Sequence, residues 1–165
     1  MMKNLIIFLL VLTLPISACA DEKVPFANEL ESEIKNYNKA TTTLATSGAL
    51  GEGAVQELAE KGFATIIDLR TQKEGTSSEE TEVSTSKMTY INIPVTGDGI
   101  SDEQLANFTK AYEMAKKPIL LHCGSGNRVG AMLTRYYLSK GMEKDLAFER
   151  GRTAGMKPAL EKTIK

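Results

Sequence analysis

Residues 119–130 have the sequence ILLHCGSGNRVG, and this stretch decides the fold. Its apolar beginning predicts a buried strand over residues 119–121, its glycines predict a tight turn, and residues 129–140 follow a helical pattern. The strand, the turn and the start of the helix therefore meet at Cys123. A cysteine at the end of a strand, followed by a glycine-rich turn and then Arg128, is typical of a loop that holds an anion beside a nucleophile.

The chemistry of a thiol explains this pattern. A thiol attacks only as its thiolate, and an unperturbed cysteine titrates near pH ~8.5. The amides of the loop, the positive end of the following helix and the guanidinium of Arg128 would all favour the thiolate and a bound oxyanion. Arginine suits this position because its planar fork binds two oxygens at once. We predict that Cys123 and Arg128 are catalytic. The residues predicted to contact the substrate are Gly124, Ser125, Gly126, Asn127 and Val129.

The run from His122 and Cys123 through Gly126 to Arg128 resembles the signature of protein tyrosine and dual-specificity phosphatases. Those enzymes place five residues between the cysteine and the arginine, whereas Cys123 and Arg128 are separated by four residues, 124–127. Val129 stands where those enzymes usually carry a hydroxyl residue.

A closer resemblance is to the phosphatase-like domain of bacterial beta-lactamase hydrolase-like proteins. It rests on the short Cys-x4-Arg loop and on the segments LATSG (44–48), TIIDLR (65–70) and INIPV (91–95), and covers roughly residues 34–155. This resemblance implies an α/β three-layer sandwich with a central, mostly parallel sheet flanked by helices. It also implies hydrolysis of a phosphomonoester or phosphotyrosine-type substrate through a phosphocysteine.

Two other functions fit the same loop. The short loop also resembles the active-site loop of rhodanese-type sulfurtransferases, in which the cysteine carries a persulfide, and a smaller cradle suits a sulfur atom. A loop of this shape could instead serve a non-catalytic module that binds anions or peptides. Cys123 could also be an inert buried cysteine at a strand end. The sequence leaves these alternatives open.

The phosphatase resemblance implies a general acid on a loop before the catalytic strand. Asp98 is the best candidate, since it lies between two glycines, 25 residues before Cys123. It fits equally well as a plain turn residue, and Asp102 is a weaker alternative. Arg70 ends a predicted strand and could extend the anion site, although an exposed arginine in a salt bridge is the simpler interpretation.

His122 is the only histidine, which excludes several mechanisms. A Ser-His-Asp triad or a Cys-His pair needs an imidazole directed at the nucleophile, and neighbouring residues of a strand point to opposite faces. One histidine and few cysteines also make a zinc site improbable. We therefore expect no metal and no cofactor. His122 is expected to pack behind the loop and to hydrogen-bond the loop backbone, as the resemblance also implies.

Residues 1–20 have the pattern of a secretory signal, with Lys3 before an apolar run over residues 5–16 and a small-residue site at Ala18-Cys19-Ala20. The sequence ISAC (16–19) also resembles a lipobox, which would make Cys19 a lipid anchor. Both interpretations predict a periplasmic or secreted protein, and the second predicts a membrane-anchored lipoprotein. The apolar run is too short to span a membrane. Residues 21–165 are predicted to form one domain.

Without residues 1–20 the chain carries 19 basic and 21 acidic residues, so no basic surface for nucleic acid is expected. The expected partner is a small anionic substrate or a phosphoprotein, and the oligomeric state is not predicted. Strands and helices alternate along the chain, which favours an α/β sheet with its site at the strand ends. Strands are predicted near residues 40–46, 63–69, 90–95 and 119–121, and helices over 54–61, 101–115, 129–140, 143–150 and 158–164. Residues 71–87 are rich in Ser, Thr and Glu and are predicted to form a mobile loop with one helical turn.

Overall fold

The computed structural model describes residues 24–164, so the predicted signal at residues 1–20 and its Cys19 lie outside the described residues. The described part is built around one five-stranded sheet with the strand order β1-β2-β5-β3-β4. Its strands are β1 (Asn38–Lys39), β2 (Leu44–Ser47), β3 (Thr65–Asp68), β4 (Thr89–Asn92) and β5 (Ile119–His122). All pairings are parallel except that of β1 with β2. The predicted mostly parallel sheet is confirmed.

Strand β5 lies at the centre of the sheet, because it pairs with β2 on one side and β3 on the other. All four of its residues are buried. A continuous apolar run of this kind is expected of a parallel strand that is covered on both faces. Ser47 and Asp68 lie opposite His122 in the two neighbouring strands, so the carboxyl ends of the three strands meet just before Cys123.

Helices cover both faces of the sheet, which confirms the predicted three-layer sandwich. The helices are α1 (Ala54–Glu60), α2 (Thr76–Ser84), α3 (Asp102–Met114), α4 (Asn127–Ser139), α5 (Lys144–Thr153) and α6 (Pro158–Glu161). Phe108 of α3 and Met132 of α4 pack with Leu121 on one face. Leu58 of α1 and Val83 of α2 pack with Leu120 on the other. No helix within residues 24–164 is long and apolar enough to cross a bilayer.

The predicted capping box at the start of α3 is confirmed. Ser101 Oγ accepts a hydrogen bond from Gln104 N at 3.1 Å, and Ser101 N donates to Gln104 Oε1 at 2.8 Å. Two of the first free amides of the helix are thereby satisfied. The helix begins at Asp102, one residue after its cap.

Two predicted segments need correction. Residues 71–87 are not a mobile loop, since they form a 3₁₀ turn (Gln72–Glu74) and the nine-residue helix α2. The helix is held because Glu79 and Val83 are buried against the sheet. The strand predicted at residues 40–46 is broken by a turn, in which Thr43 N donates to Thr41 Oγ1 at 3.2 Å. Only its end, from Leu44, belongs to β2.

Helix α4 contacts α5 at two glycines. A Cβ added at Gly130 would lie 2.2 Å from Gly151 O and 2.6 Å from Met156 N. No real Cβ approaches backbone atoms so closely, so the two helices must move apart if Gly130 gains a side chain. This close packing fixes the position of α4, the helix that begins directly after the Cys123 loop.

We predict that Gly130→Ala lowers the free energy of unfolding by about 3 kcal/mol, because overpacking against backbone cannot relax through a rotamer change. Urea denaturation followed by circular dichroism measures the loss. Gly97→Ala is the matched control, since a Cβ there would meet nothing within 4 Å. The control is expected to change stability by less than about 0.5 kcal/mol. Equal effects of the two substitutions would contradict the prediction.

Candidate active site

The loop that follows β5 wraps around the sulfur of Cys123. Gly126 N donates a hydrogen bond to Cys123 Sγ at 3.2 Å, and α4 begins at the next residue, Asn127. Gly126 has φ of 84°, and a Cβ there would lie 3.0 Å from Ala154 O, so the turn requires glycine at this position. The thiol therefore lies at the positive end of a helix and receives a backbone amide, and both favour a negative charge on sulfur.

The guanidinium of Arg128 is held from two sides. Its Nη1 donates to Val95 O at 2.8 Å and to Glu74 Oε2 at 2.8 Å, and its Nη2 donates to Glu74 Oε1 at 2.6 Å. Its Nε makes no hydrogen bond with residues 24–164, so Nε and the second N–H of Nη2 can donate to an oxyanion. The Glu74 carboxylate and the neighbouring Cys123 sulfur raise the pKa of Arg128.

Glu74 is a site residue that the sequence analysis did not find. The hydrogen bonds from Arg128 lower the pKa of Glu74 to about 2, so its carboxylate is charged at neutral pH. Thr71 N and Thr71 Oγ1 both donate to Glu74 Oε2 at 2.9 Å. This is a capping box, and the Thr-x-x-Glu spacing at residues 71–74 was the signal that could have revealed it.

The side chains of two predicted substrate-contact residues point away from the loop interior. Val129 is fully buried in the apolar core, so only its backbone can reach an anion. Asn127 Oδ1 accepts a hydrogen bond from Lys157 N at 2.8 Å, which ties the loop to the segment before α6. Gly124 lies close to Arg128, since a Cβ there would be 3.4 Å from Arg128 Nη2. Ser125 forms an isolated antiparallel β-bridge with Gly48.

Asp98 lies in an exposed turn that follows Val95. Because Val95 O binds Arg128, the segment that carries Asp98 starts at the site. Asp98 makes no hydrogen bond or ion pair with any residue from 24 to 164. Its role as general acid stays a prediction.

Arg70 does not extend the anion site, contrary to the prediction. Its Nη2 lies 2.8 Å from Asp68 Oδ2 and 2.6 Å from Glu79 Oε2. Asp68 is next to His122 in the sheet, whereas Leu69 packs with Cys123 on the opposite face. Arg70 is therefore committed to a buried ion-pair network behind the loop, because alternate residues of a strand point to opposite faces.

His122 belongs to the same network. As predicted, it lies on the face opposite Cys123 and is fully buried, so it cannot serve the thiol as a base. The prediction that His122 hydrogen-bonds the loop backbone is wrong. Within the described residues neither ring nitrogen has a well-aligned hydrogen bond, and Nε2 instead lies 2.7 Å from Glu79 Oε1 and 3.6 Å from Asp68 Oδ1.

One atom each from Asp68, Glu79 and His122 lie within 4.8 Å of one another, which is close enough for a metal site. Arg70, however, already pairs with both carboxylates and supplies the positive charge there. Burial alone would raise the pKa of Asp68, but hydrogen bonds from Arg70 and the neighbouring His122 ring lower it overall. We therefore interpret the cluster as an ion-pair network that supports the strand ends.

The sequence matches one protein-family model and, over more than half of its length, two known proteins. The sequence model of the family described as "DSP-PTPase phosphatase fused to NAD+ Kinase" matches residues 22–164. The "Probable NAD kinase 2, chloroplastic" of Oryza sativa subsp. japonica is 38% identical over 96 residues, which cover 54% of this chain and 10% of the rice protein. The beta-lactamase hydrolase-like protein of Xylella fastidiosa is 29% identical over 102 residues, which cover 59% of this chain and 23% of that protein. The chain thus spans less than a quarter of either relative.

Solved structures share the fold. The core catalytic domain of the PP-IP phosphatase SIW14 from S. cerevisiae, in complex with citrate, has a TM-score of 0.62 and 18% identity, covering 79% of this chain and 83% of that chain. TpbA from P. aeruginosa, in complex with pTyr, has a TM-score of 0.58 and 18% identity, covering 76% of this chain and 78% of that chain. The predicted resemblance to cysteine phosphatases and to beta-lactamase hydrolase-like proteins is confirmed.

Proposed function

Because the chain belongs to the family of DSP-PTPase phosphatases fused to NAD+ kinase, we propose that it is a cysteine-dependent phosphatase that hydrolyses phosphomonoesters through a phosphocysteine. The observation that carries the proposal is the position of Cys123. Its sulfur receives the Gly126 amide at 3.2 Å at the start of α4, and the Arg128 guanidinium lies beside it. An anionic nucleophile and an oxyanion-binding fork thus share one loop.

The reaction follows from these groups. The Cys123 thiolate attacks phosphorus, the bond from phosphorus to the leaving oxygen breaks, and that oxygen takes a proton from Asp98. Water then attacks phosphorus and gives a proton to the Asp98 carboxylate, the bond between sulfur and phosphorus breaks, and inorganic phosphate leaves with Cys123 again a thiolate and Asp98 again protonated. During both steps Arg128 and the loop amides stabilise the charge on the phosphoryl oxygens.

The substrate that we propose is a phosphate ester with a good leaving group, such as phosphotyrosine or another aryl phosphate. Asp98 is exposed and unconnected to the loop, so a leaving oxygen that needs little protonation is the easier one to expel. TpbA, which shares the fold, holds pTyr. A phosphoprotein and a small phosphoester both present this chemistry.

The alternative is a rhodanese-like sulfurtransferase. The observation that favours it is the short loop, with four residues between Cys123 and Arg128 and a thiol that is fully buried. A compact cradle of this kind suits attack of the Cys123 thiolate on the outer sulfur of thiosulfate, which releases sulfite and leaves a persulfide, and then transfer of that sulfur to cyanide, which forms thiocyanate and restores the thiolate. Sulfur transfer has no alcohol to protonate, so Asp98 would be dispensable.

A paired assay on the wild type and on Cys123→Ser and Asp98→Asn separates the two reactions. With an aryl phosphate, we expect phosphate release that Cys123→Ser abolishes and that Asp98→Asn lowers, with a larger loss for esters whose leaving group is poorer. Asp145→Asn is the matched control, since Asp145 is also exposed and lies in the first turn of α5. Thiocyanate formation from thiosulfate and cyanide that depends on Cys123 but not on Asp98 would instead establish the sulfurtransferase. No turnover in either assay, with anion binding retained by Cys123→Ser, would make the protein a binding module.

We also propose that the protein acts outside the cytoplasm, as a periplasmic or secreted protein or as a lipoprotein anchored at Cys19. The proposal rests on the charged, apolar and small-residue pattern of residues 1–20. Intact mass measurement of the protein from its host tests it. Loss of residues 1–20 supports cleavage by signal peptidase, a diacylglycerol adduct on Cys19 supports the lipoprotein, and an unprocessed chain in the cytoplasm contradicts both.

A further inference from the structure

We propose that Asn36 is a positioning residue for the nucleophile, because it fixes the peptide plane whose amide binds Cys123. Asn36 Nδ2 donates a hydrogen bond to Ser125 O at 3.1 Å, across 89 residues of sequence. The proposal rests on Cys123 being the nucleophile of the phosphatase reaction proposed above.

One peptide unit connects Asn36 to the nucleophile. Ser125 O and Gly126 N belong to the same peptide bond, which is trans, so the carbonyl and the N–H point in opposite directions. The N–H end donates to Cys123 Sγ at 3.2 Å, and the carbonyl end accepts from Asn36. A donor that holds the carbonyl outward therefore directs the amide inward, at the thiolate.

The preceding peptide unit is held in the same way. Ala49 N donates to Gly124 O at 3.2 Å, which turns the N–H of Ser125 in the opposite direction. The backbone amide of Ala49 thus orients the Gly124–Ser125 peptide, and the side chain of Asn36 orients the Ser125–Gly126 peptide. Glycines on both sides leave this loop few other restraints, because they tolerate many backbone conformations.

The backbone of Asn36 is itself held in place for this contact. Asn36 has φ of 52°, the one positive φ outside glycine among residues 24–164. Asparagine is among the few side chains that enter this left-handed region readily. Lys35 N donates to Ala49 O at 3.1 Å, and Gly48 N donates to Lys35 O at 2.6 Å, so the turn is tied to the end of β2. Because the side chain of Asn36 is exposed, it contributes little to the packing of the apolar core.

The test separates the amide from the backbone conformation. Asn36→Gly keeps the positive φ accessible and removes the donor, and Asn36→Asp keeps the shape but replaces the donor with a charged acceptor. Asn107→Asp is the matched control, since Asn107 is exposed on α3 and makes no side-chain hydrogen bond with the described residues. All variants are made in the full chain, and urea denaturation first establishes that each is folded.

The readout is the ultraviolet absorbance of the Cys123 thiolate across a pH series, taken as the difference from the same protein carrying Cys123→Ser. We expect Asn36→Gly to lower the ratio of thiolate to thiol about fivefold, the size expected for loss of one hydrogen bond between neutral groups. Asn36→Asp is expected to lower it further, and Asn107→Asp to leave it unchanged. The acidic limb of the kcat/KM profile with an aryl phosphate should move to higher pH in the same order. The charged group beside the thiol, Arg128, and the partner of Arg128, Glu74, are the same in every variant.

A merely structural role would change the urea midpoint and leave the thiolate ratio at its wild-type value, and that outcome overturns the proposal. The titration needs no substrate, so its result is separate from the phosphatase assay. A protein that releases no phosphate, but whose thiolate ratio falls in Asn36→Gly, would refute the proposed function and retain the positioning role.

Discussion

Replacement of Arg128 by lysine is expected to lower kcat/KM for an aryl phosphate by about 10²–10³-fold, the range measured when one oxyanion donor is removed. Lysine keeps the positive charge but lacks the planar fork, so it cannot grip Glu74 with one edge and a phosphoryl group with the other. The two bonds from Arg128 to Glu74, at 2.6 and 2.8 Å, would also be lost as a pair. Steady-state kinetics against phosphate release measures the effect.

Arg150→Lys is the control for this prediction, because Arg150 is exposed on α5 and its guanidinium lies over the Tyr137 ring. It should retain wild-type kcat/KM. If Arg128→Lys stays within about threefold of the wild type, Arg128 does not hold the transferring group. The site would then need another oxyanion donor.

Replacement of Asp68 by asparagine is expected to lower the free energy of unfolding by about 3–5 kcal/mol, the cost of removing one member of a buried ion pair. Asp68 is fully buried and accepts hydrogen bonds from Arg70 and from Tyr90 OH, the latter at 2.7 Å. Its loss leaves the Arg70 guanidinium, 11% exposed, with Glu79 as its only anionic partner within the described residues. Urea denaturation at neutral pH measures the change.

The same substitution predicts a pH dependence. Since the pKa of Asp68 is lowered in the folded protein, its stabilisation is fully present above the unfolded value near ~3.9 and is lost as pH falls through the lower folded value. The difference in stability between the wild type and Asp68→Asn should therefore shrink as pH falls below about 4. Asp145→Asn, an exposed control on α5, should follow the wild type. A difference that stays constant with pH would contradict the assignment.

Local signals in the sequence were enough to predict the centre of the fold. The four residues of β5 form an unbroken apolar run up to His122, glycines mark the turn, and the helical period starts again at Val129. The capping box at Ser101 is equally local, because it joins residues three apart in the chain. Such features need only the backbone preferences of neighbouring residues.

The parts that were missed depend on distant residues. Helix α2 has one buried apolar residue, Val83, so its sequence has the composition of a loop. The helix is stabilised by the contacts of Glu79 with Arg70 and His122, which are distant in the sequence. The contact of Glu74 with Arg128 spans 54 residues, and that of Asn36 with Ser125 spans 89. No local pattern reports which distant partner a carboxylate or an amide will find. The alternation of strand residues placed His122 on the correct face, but it could not reveal Glu79.

The most direct test of the phosphatase assignment is to trap the covalent intermediate. The wild type is mixed with an aryl phosphate and quenched in acid, and the peptide that contains Cys123 is examined by mass spectrometry beside that of Cys123→Ser. We predict a phosphoryl adduct on Cys123 in the wild type and none in the variant, with phosphate release abolished by the substitution. Phosphate release that persists in Cys123→Ser, or a sulfur adduct on Cys123 from thiosulfate with no phosphoryl adduct from the ester, would contradict the account.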